Sequence, residues 1–69
     1  MERKFSPGSI IHFQRREVVV KAYTRNGSLI QVRPVKRANG SFIEFGEPRW
    51  LDARKVDHQA IPVESPRHI

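Results

Sequence analysis

Two Asn-Gly pairs, Asn26-Gly27 and Asn39-Gly40, bracket the β-forming run at residues 28–35. Asn-Gly flanked by such residues is the strongest short-range hairpin signal, because both residues tolerate the positive φ of tight turns. Two such corners in succession commit the middle of the chain to consecutive antiparallel strands. The register they set decides which side chains share a face.

Strand patterning extends on both sides of these corners. Residues 17–24 (EVVVKAYT) carry a stiff β-branched triplet that favours extended backbone. Period two places Val18, Val20 and Ala22 on one face, the core face, and Val19, Lys21 and Tyr23 on the other. Residues 28–35 follow with Ile30 and Val32 inward and Gln31 and Arg33 outward. Pro34 lacks a ladder donor, so that strand is expected at an edge or bulged there. Residues 9–13 (SIIHF) read as a first strand behind the turn Ser6-Pro7-Gly8, 41–45 (SFIEF) as a fourth, and 49–53 (RWLDA) as a fifth. A helical turn is expected over 54–58. The corner Gln14-Arg15-Arg16 has no Gly or Asn, so local chemistry does not specify its turn. Trp50 reads as a half-buried lid, and Phe13, Phe42 and Phe45 as core.

These signals predict an all-β domain, a five-stranded barrel at residues 7–58. Residues 1–6 read as a flexible basic arm, with Arg3 and Lys4 in reach of a phosphate, and 59–69 as an extended or disordered tail. A chain of 69 residues is near the lower limit for a self-sufficient core, since such a domain buries only about 60% of its unfolded surface. With no cysteine, neither a disulfide nor a thiolate metal site supplements that core. A monomer or a small homo-oligomer is compatible with this size. No apolar run approaches the ~20 residues of a membrane span, and the charged N-terminus does not resemble a signal peptide. The expected location is cytoplasmic.

The charge is uneven. The formal net charge is +6, and the sequence pI is near 10.9. Arg15, Arg16, Lys21, Arg25, Arg33, Lys36 and Arg37 face only one acid, Glu17, within their segment, while the rest of the chain is balanced. An asymmetric basic surface attracts polyanions at long range.

Together, PGSIIHF, the hairpin EVVVKAYTRNGSLIQVRP, the second corner ANGSF and the closing RWLDARKV resemble an SH3-like small β-barrel. The order is similar to Tudor and KOW modules and to the basic C-terminal domains of retroviral integrases. Such small barrels also serve phages and other mobile elements as accessory proteins. The resemblance implies a fold and carries over no functional residue by position. Three features depart from it. The loop region is basic where a peptide-binding SH3 groove is acidic; only Tyr23 and Trp50 are candidates for a Tudor cage; and Gln14-Arg15-Arg16 lacks the KOW glycine.

Catalytic chemistry is not indicated. His12, His58 and His68 are scattered, Glu44 and Glu47 flank a turn, and no phosphate loop, metal spacing or nucleophile elbow occurs. The expectation is therefore a non-enzymatic, cofactor-free accessory or regulatory protein that binds DNA or RNA. Its face comprises Arg15, Arg16, Lys21, Arg25, Arg33, Lys36 and Arg37 on phosphates, with Tyr23 stacking on a base or sugar. The alternative is an interaction module that docks an acidic protein partner, for example as an inhibitor or adaptor of a host enzyme.

Overall fold

The computed structural model describes residues 4–64, so Arg3 and residues 65–69 of the expected tail lie outside the described residues. Six strands and one helix follow in the order β1 (Ile10–Phe13), β2 (Arg16–Tyr23), β3 (Leu29–Ala38), β4 (Ser41–Glu44), β5 (Arg49–Asp52), α1 (Ala53–Gln59) and β6 (Ile61–Glu64). All pairings are antiparallel, in the order β4-β3-β2-β1-β6, with β5 also on β3; the sheet does not close.

The long strand β3 organises the rest. One side pairs with β2, and the other is divided between β5, through Leu29–Val32, and β4, through Val35–Ala38. Pro34 falls at the change of partner. Its carbonyl accepts the Phe45 N–H at 3.0 Å, and its absent donor interrupts no continuous ladder. Pro34 is thus accommodated inside the sheet, not at an edge or bulge, because one neighbour ends where the next begins.

A bulge lies instead in β2. Val18, Val19 and Val20 oppose Pro34, Arg33 and Val32, but Ala22 opposes Gln31 and Tyr23 opposes Ile30, leaving Lys21 as the extra residue. An extra residue inverts the facing of everything beyond it. Ala22 therefore shares the outer face with Gln31, and Tyr23 turns inward with Ile30. This corrects the strict period-two reading of residues 22 and 23.

The corners differ in kind. At Asn39-Gly40 both residues have positive φ (51° and 79°) between the paired Ala38 and Ser41, the geometry of a two-residue type I′ turn. The Asn26-Gly27 corner is a longer loop, in which the Asn26 carboxamide oxygen accepts from the Ser28 N–H, Ser28 Oγ and Thr24 Oγ1. The first corner is also a two-residue turn, and it uses Gln14 (φ 52°) and Arg15 (φ 64°).

The inner core gathers Phe5, Ile11, Phe13, Val18, Val20, Ile30, Val32, Ala53, Val56 and Ala60, with Tyr23 and Leu51 packed against it. Phe5 falls in the segment read as an arm, yet its ring is buried. Lys4 Nζ donates to the Asp57 carbonyl at 2.7 Å, which holds this segment to α1. Asp52 caps α1 by accepting the Arg54 N–H at 2.9 Å, and Ala53 and Val56 are its buried residues. Beyond it β6 pairs with β1 in the segment read as a tail, and makes a sixth strand where five are expected. Its single neighbour makes it an edge strand, where Pro62 is tolerated and apolar alternation is not required. On the outer face Ile10, Val19 and Val35 form a second buried strip with Phe42 against it.

Candidate functional site

The cations predicted from sequence divide into two groups. On the outer face Lys21 Nζ contacts Glu44 Oε1 at 3.0 Å, and Arg33 Nη1 meets the same oxygen at 3.1 Å. Arg33 Nε also donates to the Gly46 carbonyl at 3.0 Å. Arg37 Nη2 pairs with Glu17 Oε2 at 3.3 Å, and its guanidinium lies 5.1 Å from the Phe42 ring centroid. The hydrogen bond from Lys21, more than that from Arg33, holds the Glu44 carboxyl below the usual carboxylate range, although partial desolvation opposes it. Three of the eight predicted residues are thus engaged in ion pairs across the strip Ile10, Val19 and Val35.

Tyr23 is placed differently from the expectation. Its ring is half-buried on the inner face, its hydroxyl donates to Asp57 Oδ1 at 3.2 Å, and its oxygen accepts the Phe5 N–H at 3.3 Å. The phenol joins the N-terminal segment, β2 and α1, on the face opposite the Lys21–Glu44 pair. Arg25 stands exposed in the Asn26-Gly27 loop, remote along the hairpin from the other turn cations.

A second group converges where the sheet fails to close. Arg16 opposes Phe13, and Arg49 opposes Val32, so both arginines share the inner face with apolar partners. They flank an open cavity of about 260 Å³ whose floor is Phe13, Val18, Val32, Pro34 and Leu51, with Gln14 also at the rim. Arg15 is next in the turn. Lys36 lies two residues beyond Pro34 on the same face of β3, opposite Ile43. The Phe45 N–H to Pro34 bond continues that register, so Ile43 and Phe45 fall on this face too, 47% and 44% exposed. Among the described residues, no ion pair engages Arg15, Arg16, Lys36 or Arg49. The exposed inner face is therefore apolar at its centre and cationic at its margins, without an acidic lining residue.

No protein-family model matches this chain, and no curated protein or solved structure matches it. The site rests on its own geometry.

Arg49 is the residue that hairpin reasoning misses, because it lies outside the basic segment. The signal is present in RWLD: if Leu51 faces the core, period two puts Arg49 on the same face one pair closer to the open end. Trp50 takes the opposite face, against Gln31, and is 48% exposed, so it is no lid of the core. Among the described residues no group of three His, Asp or Glu could hold a metal, and no helix is long and apolar enough to cross a membrane.

Proposed function

We propose that this chain is a small non-enzymatic nucleic-acid-binding protein, an accessory or regulatory factor of the cytoplasm, that grips phosphates around the open inner face. The observation that carries the reading is that Arg16 and Arg49 line one open cavity with an apolar floor, with Arg15 next in the turn and Lys36 beyond Pro34 on the same face, and that among the described residues no ion pair engages any of the four. Cations already held by Glu44 and Glu17 must break those contacts to meet a phosphate, whereas these four need not. Their distribution along a turn and three strands suits a linear polyanion better than a single small anion. The reading as an SH3-like small barrel draws support from the meander β1 to β4, the divided partner of β3, and a helix leading into a last strand on β1.

Fluorescence anisotropy of a labelled single strand and a labelled duplex, titrated with salt, tests this. If each of the four cations meets one phosphate, log K falls against log salt with a slope of about −3 for the single strand and about −4 for the duplex. Arg16→Ala and Arg49→Ala each reduce the slope by roughly one unit, and Lys21→Ala leaves it unchanged. No binding at low salt overturns the proposal.

A second reading, docking of an acidic protein, has its own observation. Ile43 and Phe45 are exposed beside Lys36, and an apolar patch next to cations is a common docking surface. Stoichiometric co-purification of a protein that survives nuclease treatment favours this reading; raised absorbance at 260 nm favours the first.

A further inference from the structure

We infer that the open cavity seats one unpaired base of a single strand, with the attached phosphate held between Arg16 and Arg49. This rests on the nucleic-acid reading above and names the form of nucleic acid the site prefers.

The argument begins with size. About 260 Å³ is just below the ~300 Å³ lower end of small-molecule sites, enough for one planar ring system. The floor offers such a ring an apolar seat made by Phe13, Val18, Val32, Pro34 and Leu51. A base stacked inside a duplex cannot enter, because its faces are already covered; an unpaired one offers both faces at no unpairing cost.

The rim supplies the complementary charge. Both flanking cations are arginines, whose planar guanidinium matches a phosphate in bidentate fashion and stays charged at every working pH. Arg15, next in the turn, and Lys36, two residues beyond Pro34 on β3, are exposed cations that a backbone running past the pocket would meet. Gln14 is the one neutral polar rim residue, and its carboxamide has both a donor and an acceptor for a base edge. An acidic side chain from a protein would satisfy the arginines and leave the apolar floor open.

The turn that carries Gln14 and Arg15 strengthens the case independently. Two successive non-glycine residues at φ 52° and 64° make a strained corner, and such corners persist where their geometry serves a site. Here the corner carries Gln14 into the cavity lining and sets Arg16 opposite Phe13.

The test compares three labelled ligands of equal length by anisotropy with the full chain: an oligothymidylate, the same strand with abasic sites throughout, and a duplex. The single strand is expected to bind about five-fold or more tighter than the abasic strand, a stacking-scale difference. Amide shifts on adding the oligothymidylate should centre on Val18, Val32 and Leu51, and Leu51→Ala should narrow the gap between intact and abasic strands. Equal affinity for intact and abasic strands overturns the base seat and leaves the phosphate-binding reading standing, whereas shifts confined to Lys21 and Arg33 overturn both the base seat and the inner-face placement of the phosphates. Failure of all three ligands to bind at low salt overturns both. Binding of an acidic peptide at the same amides, with the oligothymidylate unable to displace it, also overturns both.

Discussion

Gln14 and Arg15 hold consecutive left-handed backbones that, in the other two-residue corner described, Asn39 and Gly40 hold with more suitable residues. A non-glycine residue in this region costs about 1 kcal/mol relative to one that tolerates it. The double variant Gln14→Asn, Arg15→Gly should therefore raise the urea midpoint, by an amount equivalent to about 1 kcal/mol, while weakening nucleic-acid affinity. A variant that gains stability and keeps full affinity would separate the corner from binding. Tyr23 makes the converse case, a residue whose hydroxyl ties the N-terminal segment to α1. Tyr23→Phe removes the hydroxyl between Asp57 and the Phe5 N–H and should cost about 1 kcal/mol in chemical denaturation. The salt slope of binding should not change.

At the scale of elements, Glu44 fastens β4 to its neighbours. It meets Lys21 from the bulge of β2 and Arg33 from β3, and Arg33 in turn holds the Gly46 carbonyl at the exit of β4. A carboxyl whose pKa is lowered by folding adds stability above its unfolded pKa. That stability is lost as pH falls from the unfolded value through the lowered folded one. Urea midpoints measured from neutral to acidic pH should show this loss, and Glu44→Gln should flatten it, at a cost at neutral pH of no more than about 1 kcal/mol for pairs this exposed. Glu44→Gln also frees two cations, so unchanged DNA affinity in that variant would locate binding on the inner face. Much of this arrangement is legible in the sequence. Asn39-Gly40 is a tight corner as its residues demand, and the β-branched run at 17–24 is a strand. What local patterning hides is the bulge at Lys21, which depends on how two strands twist against each other, and which sends Tyr23 inward. It also hides β6, since an edge strand with one neighbour needs no alternating apolar face. The separation of engaged from unengaged cations hides for a similar reason: Glu44 and Glu17 lie far along the chain from the cations they meet.

For the whole molecule, stability and site share one strand. β3 supplies Val32 and Pro34 to the cavity floor while pairing with β2, β4 and β5. A domain of this length has a total stability of only about 3–10 kcal/mol, so truncating any fully buried valine is felt throughout. Val20→Ala and Val56→Ala remove equal side chains from equally buried positions, each with 0% exposure, and each should cost about 2 kcal/mol. Their kinetics should differ. Hairpins between neighbouring strands close short loops and form ahead of pairings distant in sequence. Val20, in the β2–β3 hairpin, should mainly slow folding, and Val56, in α1, should mainly speed unfolding; a stopped-flow chevron for each variant distinguishes the two. Reversal of that pattern would put nucleation at the C-terminal end.

The cavity then has a place in the order of events. Its walls come from β1, β2, β3 and β5 and the first turn, and none comes from α1 or β6. The last pairing, β6 on β1, spans nearly the whole described chain and is the slowest loop to close. A chain still lacking that pairing already has every wall of its pocket once β5 has joined β3. Ligand present during refolding should therefore accelerate the folding limb as well as retard the unfolding one, as a template acts on a half-built mould.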